Sequence, residues 1–94
     1  VLGLIGSGAA DPERICIVGA SYGGYAALMG AALTPSLYRC AVSIAGVTDL
    51  VDFIRWRRRE YGKESDGYTY WLDSIGNPDV DAERLQATSP VNLA

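Results

Sequence analysis

Gly19, Ala20, Ser21, Tyr22 and Gly23 spell Gly-x-Ser-x-Gly, a spacing that lifts a serine hydroxyl at a sharp turn between a strand and a helix. Such a serine attacks carbonyl carbon and carries an acyl group between two easier steps. The spacing has a steric reason. A serine at that turn takes a positive φ, so the residues two before and two after it, Gly19 and Gly23, are expected to lack a Cβ that would collide. Gly24 extends the glycine-rich turn. The helix that follows points its N-terminus at the site, and the backbone N–H of Tyr22 is placed to donate to an oxyanion.

The chemistry is incomplete on these 94 residues, because they include no histidine. A serine hydroxyl is a weak nucleophile without an adjacent base, so the base for Ser21 is expected from outside this sequence. Asp49, Asp52, Asp66, Asp73, Asp79 and Asp81 read as caps and turn residues rather than as partners of the serine. The two cysteines, Cys16 and Cys40, lie in apolar runs without metal-ligand spacing. They are expected to be small core residues rather than a disulfide or a metal pair. No metal and no organic cofactor is expected.

The elements that must hold Ser21 follow from the surrounding pattern. Ile15 to Val18 is an uninterrupted apolar run and reads as a strand buried on both faces. Asp11-Pro12-Glu13-Arg14 is a turn leading into it. Tyr22 to Leu33 reads as a helix whose small residues Gly23, Ala27, Gly30 and Ala31 allow close approach to a sheet, ended by Thr34-Pro35. Cys40 to Ala45 is a second buried strand at the distance expected of a strand–helix–strand crossover. Val1 to Ile5 reads as the tail of an amphipathic helix.

Beyond Gly46, Thr48 is the expected cap of a helix that carries Leu50, Phe53, Ile54 and Arg57 on one face. Its basic end, Arg55, Arg57, Arg58 and Arg59, reads as a solvated helix terminus. Glu60 to Gly67 is a polar connector, Tyr68 to Ile75 a short helix stopped by Gly76-Asn77-Pro78, and Asp81 to Ala87 one or two further turns before Ser89-Pro90. The length allows one small domain with a modest core.

Composition narrows the partners. About half of the residues are hydrophobic and the net charge is −3, which argues against nucleic acid as a main partner. No run of about 18 apolar residues is present, so no membrane span is expected. Residues 1 to 10 lack a basic n-region, and together these absences favour the cytoplasm. The first residue is not methionine, as in a piece of a longer protein.

Ser21-Tyr22-Gly23-Gly24-Tyr25, preceded by Asp11-Pro12-Glu13-Arg14-Ile15, resembles the prolyl oligopeptidase family of serine peptidases, and within it the dipeptidyl-peptidase and acylaminoacyl-peptidase branches. Ile44-Ala45-Gly46-Val47, Ile75-Gly76-Asn77-Pro78 and Ser89-Pro90-Val91-Asn92 are similar to segments further along the same family. The resemblance implies an α/β class, with residues 1–94 a partial α/β-hydrolase domain: parallel strands and crossover helices around the turn at Ser21. It implies a Ser…Asp…His triad in that order, with Ser21 as nucleophile, Tyr22 as oxyanion amide, and the Asp and His beyond Ala94. It further implies short peptide substrates, and pocket walls at Tyr25, Val47, Leu50 and Phe53. One triad member in three makes this stretch inactive alone. Its open sheet edges would seek the rest of the domain, or a second copy.

Two other readings compete. An esterase would use the same machinery on an ester, and a non-catalytic module would use the fold only for contacts. A dinucleotide site is disfavoured: Gly19-x-Ser21-x-x-Gly24 puts a serine where the fingerprint needs a glycine. No acidic residue closes the second strand.

Overall fold

The computed structural model describes residues 1–94 and divides them into two compact units, Val1–Gly46 and Val47–Ala94. The first unit carries both strands, and the second is helical.

In the first unit, helix α1 (Leu2–Gly6) leads through the 11–14 turn to strand β1 (Cys16–Ala20), helix α2 (Tyr22–Leu33) and strand β2 (Cys40–Ile44). The strands are parallel and in register from Cys16 opposite Cys40 to Ala20 opposite Ile44. This is a strand–helix–strand crossover. Its entry is pinned twice: the Arg39 amide donates to the Ile15 carbonyl at 2.7 Å, and the Arg39 guanidinium pairs with the Glu13 carboxylate. The crossover helix ends at Leu33, where the Thr34 hydroxyl and amide both donate to the Gly30 carbonyl and Pro35 follows.

α2 packs on one face of the two strands. Gly24 and Ala27 are buried there, and a Cβ at Gly30 would stand 3.1 Å from both Ile17 Cδ1 and Tyr38 Cε2. The opposite face is open. Val18, Val42 and Ile44 are 64%, 44% and 57% exposed, which corrects the expectation of strands buried on both faces: one crossover helix covers one face only.

The cysteines also depart from expectation. Cys16 and Cys40 are joined in a disulfide, with Cα atoms 4.6 Å apart. Register is the reason. In-register residues of neighbouring strands point to the same face about 4.8 Å apart, within the span a disulfide bridges. Both residues lie on the open face rather than in the core.

The second unit consists of α3 (Leu50–Tyr61), α4 (Asp66–Ile75) and α5 (Ala82–Ala87). Its core is Leu50, Val51, Ile54, Tyr68 and Leu85. The cap of α3 is Asp49, one residue later than expected, whose carboxylate accepts from the Asp52 amide at 3.1 Å. The Thr48 carbonyl instead accepts from the Val91 amide at 3.0 Å. Ser65 caps α4, and Gly76, at φ 144°, ends it. Ser89 is fully buried, accepting from the Leu50 amide at 2.9 Å and donating to the Leu85 carbonyl at 2.6 Å. It ties the start of α3 to the end of α5. No helix in either unit is long and apolar enough to cross a membrane.

Candidate active site

Ser21 sits between the last residue of β1 and the first of α2, with φ 55° and ψ −118°. A serine at a helix N-cap ordinarily turns its oxygen back onto the amides of the first turn. Here it makes no such bond, and the residue is exposed. The Ser21 carbonyl accepts the first helical bond, from Tyr25 N–H at 3.1 Å. Its own amide donates to the Ile44 carbonyl at 2.9 Å.

The glycines around Ser21 differ in what they do. A Cβ at Gly19 would lie 2.1 Å from the Gly23 carbonyl oxygen, a contact that backbone cannot yield to. A Cβ at Gly24 would lie 2.7 Å from Gly46 Cα and 2.8 Å from Ser43 Oγ. At Gly23 a Cβ would meet nothing within 4 Å, so the collision expected two residues after the serine is absent. The close approach belongs to Gly19 on one side and Gly24 on the other.

Tyr22 occupies the first helical position of α2. The N-terminal end of α2, with its partial positive charge, lies at Ser21. The rings of Tyr22 and Tyr25, one helical turn apart, pack with centroids 5.3 Å apart and planes tilted by 43°. Gly19, Ser21, Tyr22, Gly23, Gly24 and Tyr25 are thus gathered at one turn of the first unit.

Val47, Leu50 and Phe53 fall in the second unit. Leu50 is 4% exposed, while Val47 and Phe53 are half-buried. Phe53 begins an aromatic run: its ring lies 5.5 Å from Trp71 and 6.3 Å from Trp56, and Trp56 is 5.8 Å from Tyr61. The Arg57 guanidinium lies 4.4 Å from the Tyr61 ring centroid.

Two residues at the Ser21 turn were not singled out by sequence reasoning. Ser43 donates its hydroxyl to the Gly24 carbonyl at 3.0 Å, and Ile44 supplies the carbonyl that holds the Ser21 amide. A hydroxyl in the otherwise apolar run Ala41-Val42-Ser43-Ile44 was the available signal for the first. A backbone carbonyl leaves no signal in a side-chain pattern.

Comparison with known proteins identifies the family. Residues 3–94 match the model of the prolyl oligopeptidase family. Dipeptidyl aminopeptidase BIII of Pseudoxanthomonas mexicana is 42% identical over 43 residues, covering 46% of this chain and 6% of that protein. Dipeptidyl peptidase family member 6 of Caenorhabditis elegans is 31% identical over 51 residues, 54% of this chain and 7% of that protein. Prolyl oligopeptidase ophP of Omphalotus olearius is 37% identical over 68 residues, 67% of this chain and 9% of that protein. The matches therefore span less than a tenth of each relative. With 92 of its 94 residues under one family model, the chain belongs to the prolyl oligopeptidase family.

Proposed function

We propose that the protein containing this chain is a serine peptidase of short peptides, with Ser21 as the nucleophile of an α/β-hydrolase domain. The observation that carries the reading is the backbone of Ser21. A non-glycine residue with φ 55°, at a strand-to-helix turn and without a capping bond, costs about 1–3 kcal/mol and persists where the surroundings hold it. Acyl transfer supplies a reason for holding it. Family membership and the peptidase names of the relatives support the same class.

In this mechanism a histidine takes the Ser21 proton as Oγ attacks the substrate carbonyl, and an aspartate orients that histidine. Neither is assigned here: the sequence has no histidine, so the base comes from elsewhere in the protein. The negative oxygen of the tetrahedral intermediate accepts from the Tyr22 amide, a donor of a kind worth about 2.7–4 kcal/mol in comparable sites. The same proton returns through the histidine to the leaving amine. Tyr25, in the first turn of α2, is a proposed wall for the residue whose carbonyl is attacked. The open face bearing Val18, Val42 and Ile44 is the surface on which the remainder of the domain would pack.

The test compares the full-length protein with its Ser21→Ala variant on chromogenic peptide amides and matched esters. Cleavage of amides by the first and loss of about 10⁴-fold or more in the second is the expected result. Turnover of esters alone favours the esterase reading. Equal activity of the two proteins removes Ser21 from the chemistry. A polypeptide of residues 1–94 alone is expected to turn over neither substrate.

A further inference from the structure

We infer that Ser43 is a positioning residue for the Ser21 nucleophile, locking the first turn of α2 onto β2; the inference rests on the assignment of Ser21 above. β2 grips the turn at two points. The Ile44 carbonyl holds the Ser21 amide at 2.9 Å, and the Ser43 hydroxyl holds the Gly24 carbonyl at 3.0 Å. These anchors are adjacent residues on one strand, and they bracket Ser21, Tyr22 and Gly23. Both reacting groups of the turn, the Ser21 hydroxyl and the Tyr22 amide, lie between them.

The space around the Ser43 hydroxyl is shaped to it. A Cβ on Gly46 would stand 2.1 Å from Ser43 Oγ, and one on Gly24 2.8 Å. Two glycines thus clear the volume in which one hydroxyl sits. The bond is also additional to the helix. The Gly24 carbonyl lies in the first turn, where the helix itself offers it the amide four residues on, and a carbonyl oxygen has a second lone pair for Ser43. Satisfying an orphaned carbonyl therefore does not account for it. Fixing the angle between α2 and β2 does, and that angle sets where the Tyr22 N–H points.

Catalysis by a preorganised donor falls steeply with misplacement, about 100-fold for roughly 1 Å. Losing one of the two anchors, Ser43→Ala is expected to lower kcat about 10- to 100-fold with KM within about twofold, since the hydroxyl is engaged by the Gly24 carbonyl. Active-site titration with a fluorophosphonate separates positioning from folding. It counts competent sites and gives the phosphonylation rate of each one.

The experiment uses the full-length protein, its Ser43→Ala variant and its Ser43→Cys variant, a near-isostere whose thiol is a weaker donor. The expected result is a per-site phosphonylation rate lowered in Ser43→Ala by the same factor as kcat, with Ser43→Cys intermediate. Should Ser43→Ala fail to fold, the Ser43→Cys per-site rate decides alone: a drop supports the role and an unchanged rate overturns it. A lowered count of sites with an unchanged rate per site also overturns it, leaving Ser43 merely structural. Absence of labelling in the unsubstituted protein instead removes the nucleophile assignment, so the two failures are distinguishable.

Discussion

The Ser21 amide donates to the Ile44 carbonyl at 2.9 Å, so the residue at the turn is a rung of the β1–β2 ladder as well as the residue before α2. The ladder therefore reaches the strained position itself. A φ of 55° at a serine is disfavoured in isolation; here the sheet holds its N–H while α2 holds its carbonyl through Tyr25. The fold fixes both peptide groups of the residue and leaves its side chain out of the bonding.

Two substitutions in the same motif are expected to behave oppositely. Gly19→Ala drives a Cβ into the Gly23 carbonyl, 2.1 Å away, and is expected to cost about 3 kcal/mol or more, the upper end for overpacking against unyielding atoms. Gly23→Ala meets open space and replaces a helical glycine, so it is neutral or stabilises by up to about 1 kcal/mol. Urea transition midpoints of the two variants check this. Equal losses would mean that the crowding at the turn is not where the structure puts it.

That contrast marks how far the sequence alone could be read. The strand, turn and helix around Ser21 were legible because apolar runs, glycines and Thr34-Pro35 each have a local physical meaning. Assigning the crowding to Gly23 rather than Gly24 failed because it depends on where Gly46 and Ser43 sit, more than 15 positions away in the chain. The Cys16–Cys40 bond was missed for a related reason: only the register of two strands makes those residues neighbours, and no spacing rule encodes it. Asp49 rather than Thr48 is the cap because α3 begins at Leu50, and a helix boundary read from pattern shifts by a residue or two.

The disulfide has a chemical signature. A non-reduced digest of the unfolded full-length protein is expected to contain one linked peptide pair carrying Cys16 and Cys40. Alkylation of both residues without reductant would contradict it. Closing a loop across a sequence separation of 24 stabilises by about 3 kcal/mol in the chain-entropy account. A Cys16→Ala, Cys40→Ala double variant should lose about that much.

Ser89 gives the second unit its own test. Its hydroxyl accepts from the Leu50 amide and donates to the Leu85 carbonyl, and it is fully buried. Ser89→Ala leaves the Leu50 N–H buried without that acceptor and is expected to cost about 1–3 kcal/mol. Asp49→Ala, which removes an exposed cap on the same helix, is expected to cost about 1 kcal/mol. Chemical denaturation of the two variants side by side ranks them; a larger loss at Asp49 would contradict the placement of the Ser89 bonds.

The most direct measurement is the site of covalent capture. The full-length protein is incubated with a fluorophosphonate, digested, and its peptides mapped by mass spectrometry. The nucleophile assignment predicts one adduct per chain, on the peptide containing Ser21, abolished by Ser21→Ala. An adduct on another serine, or labelling that survives Ser21→Ala, would contradict it.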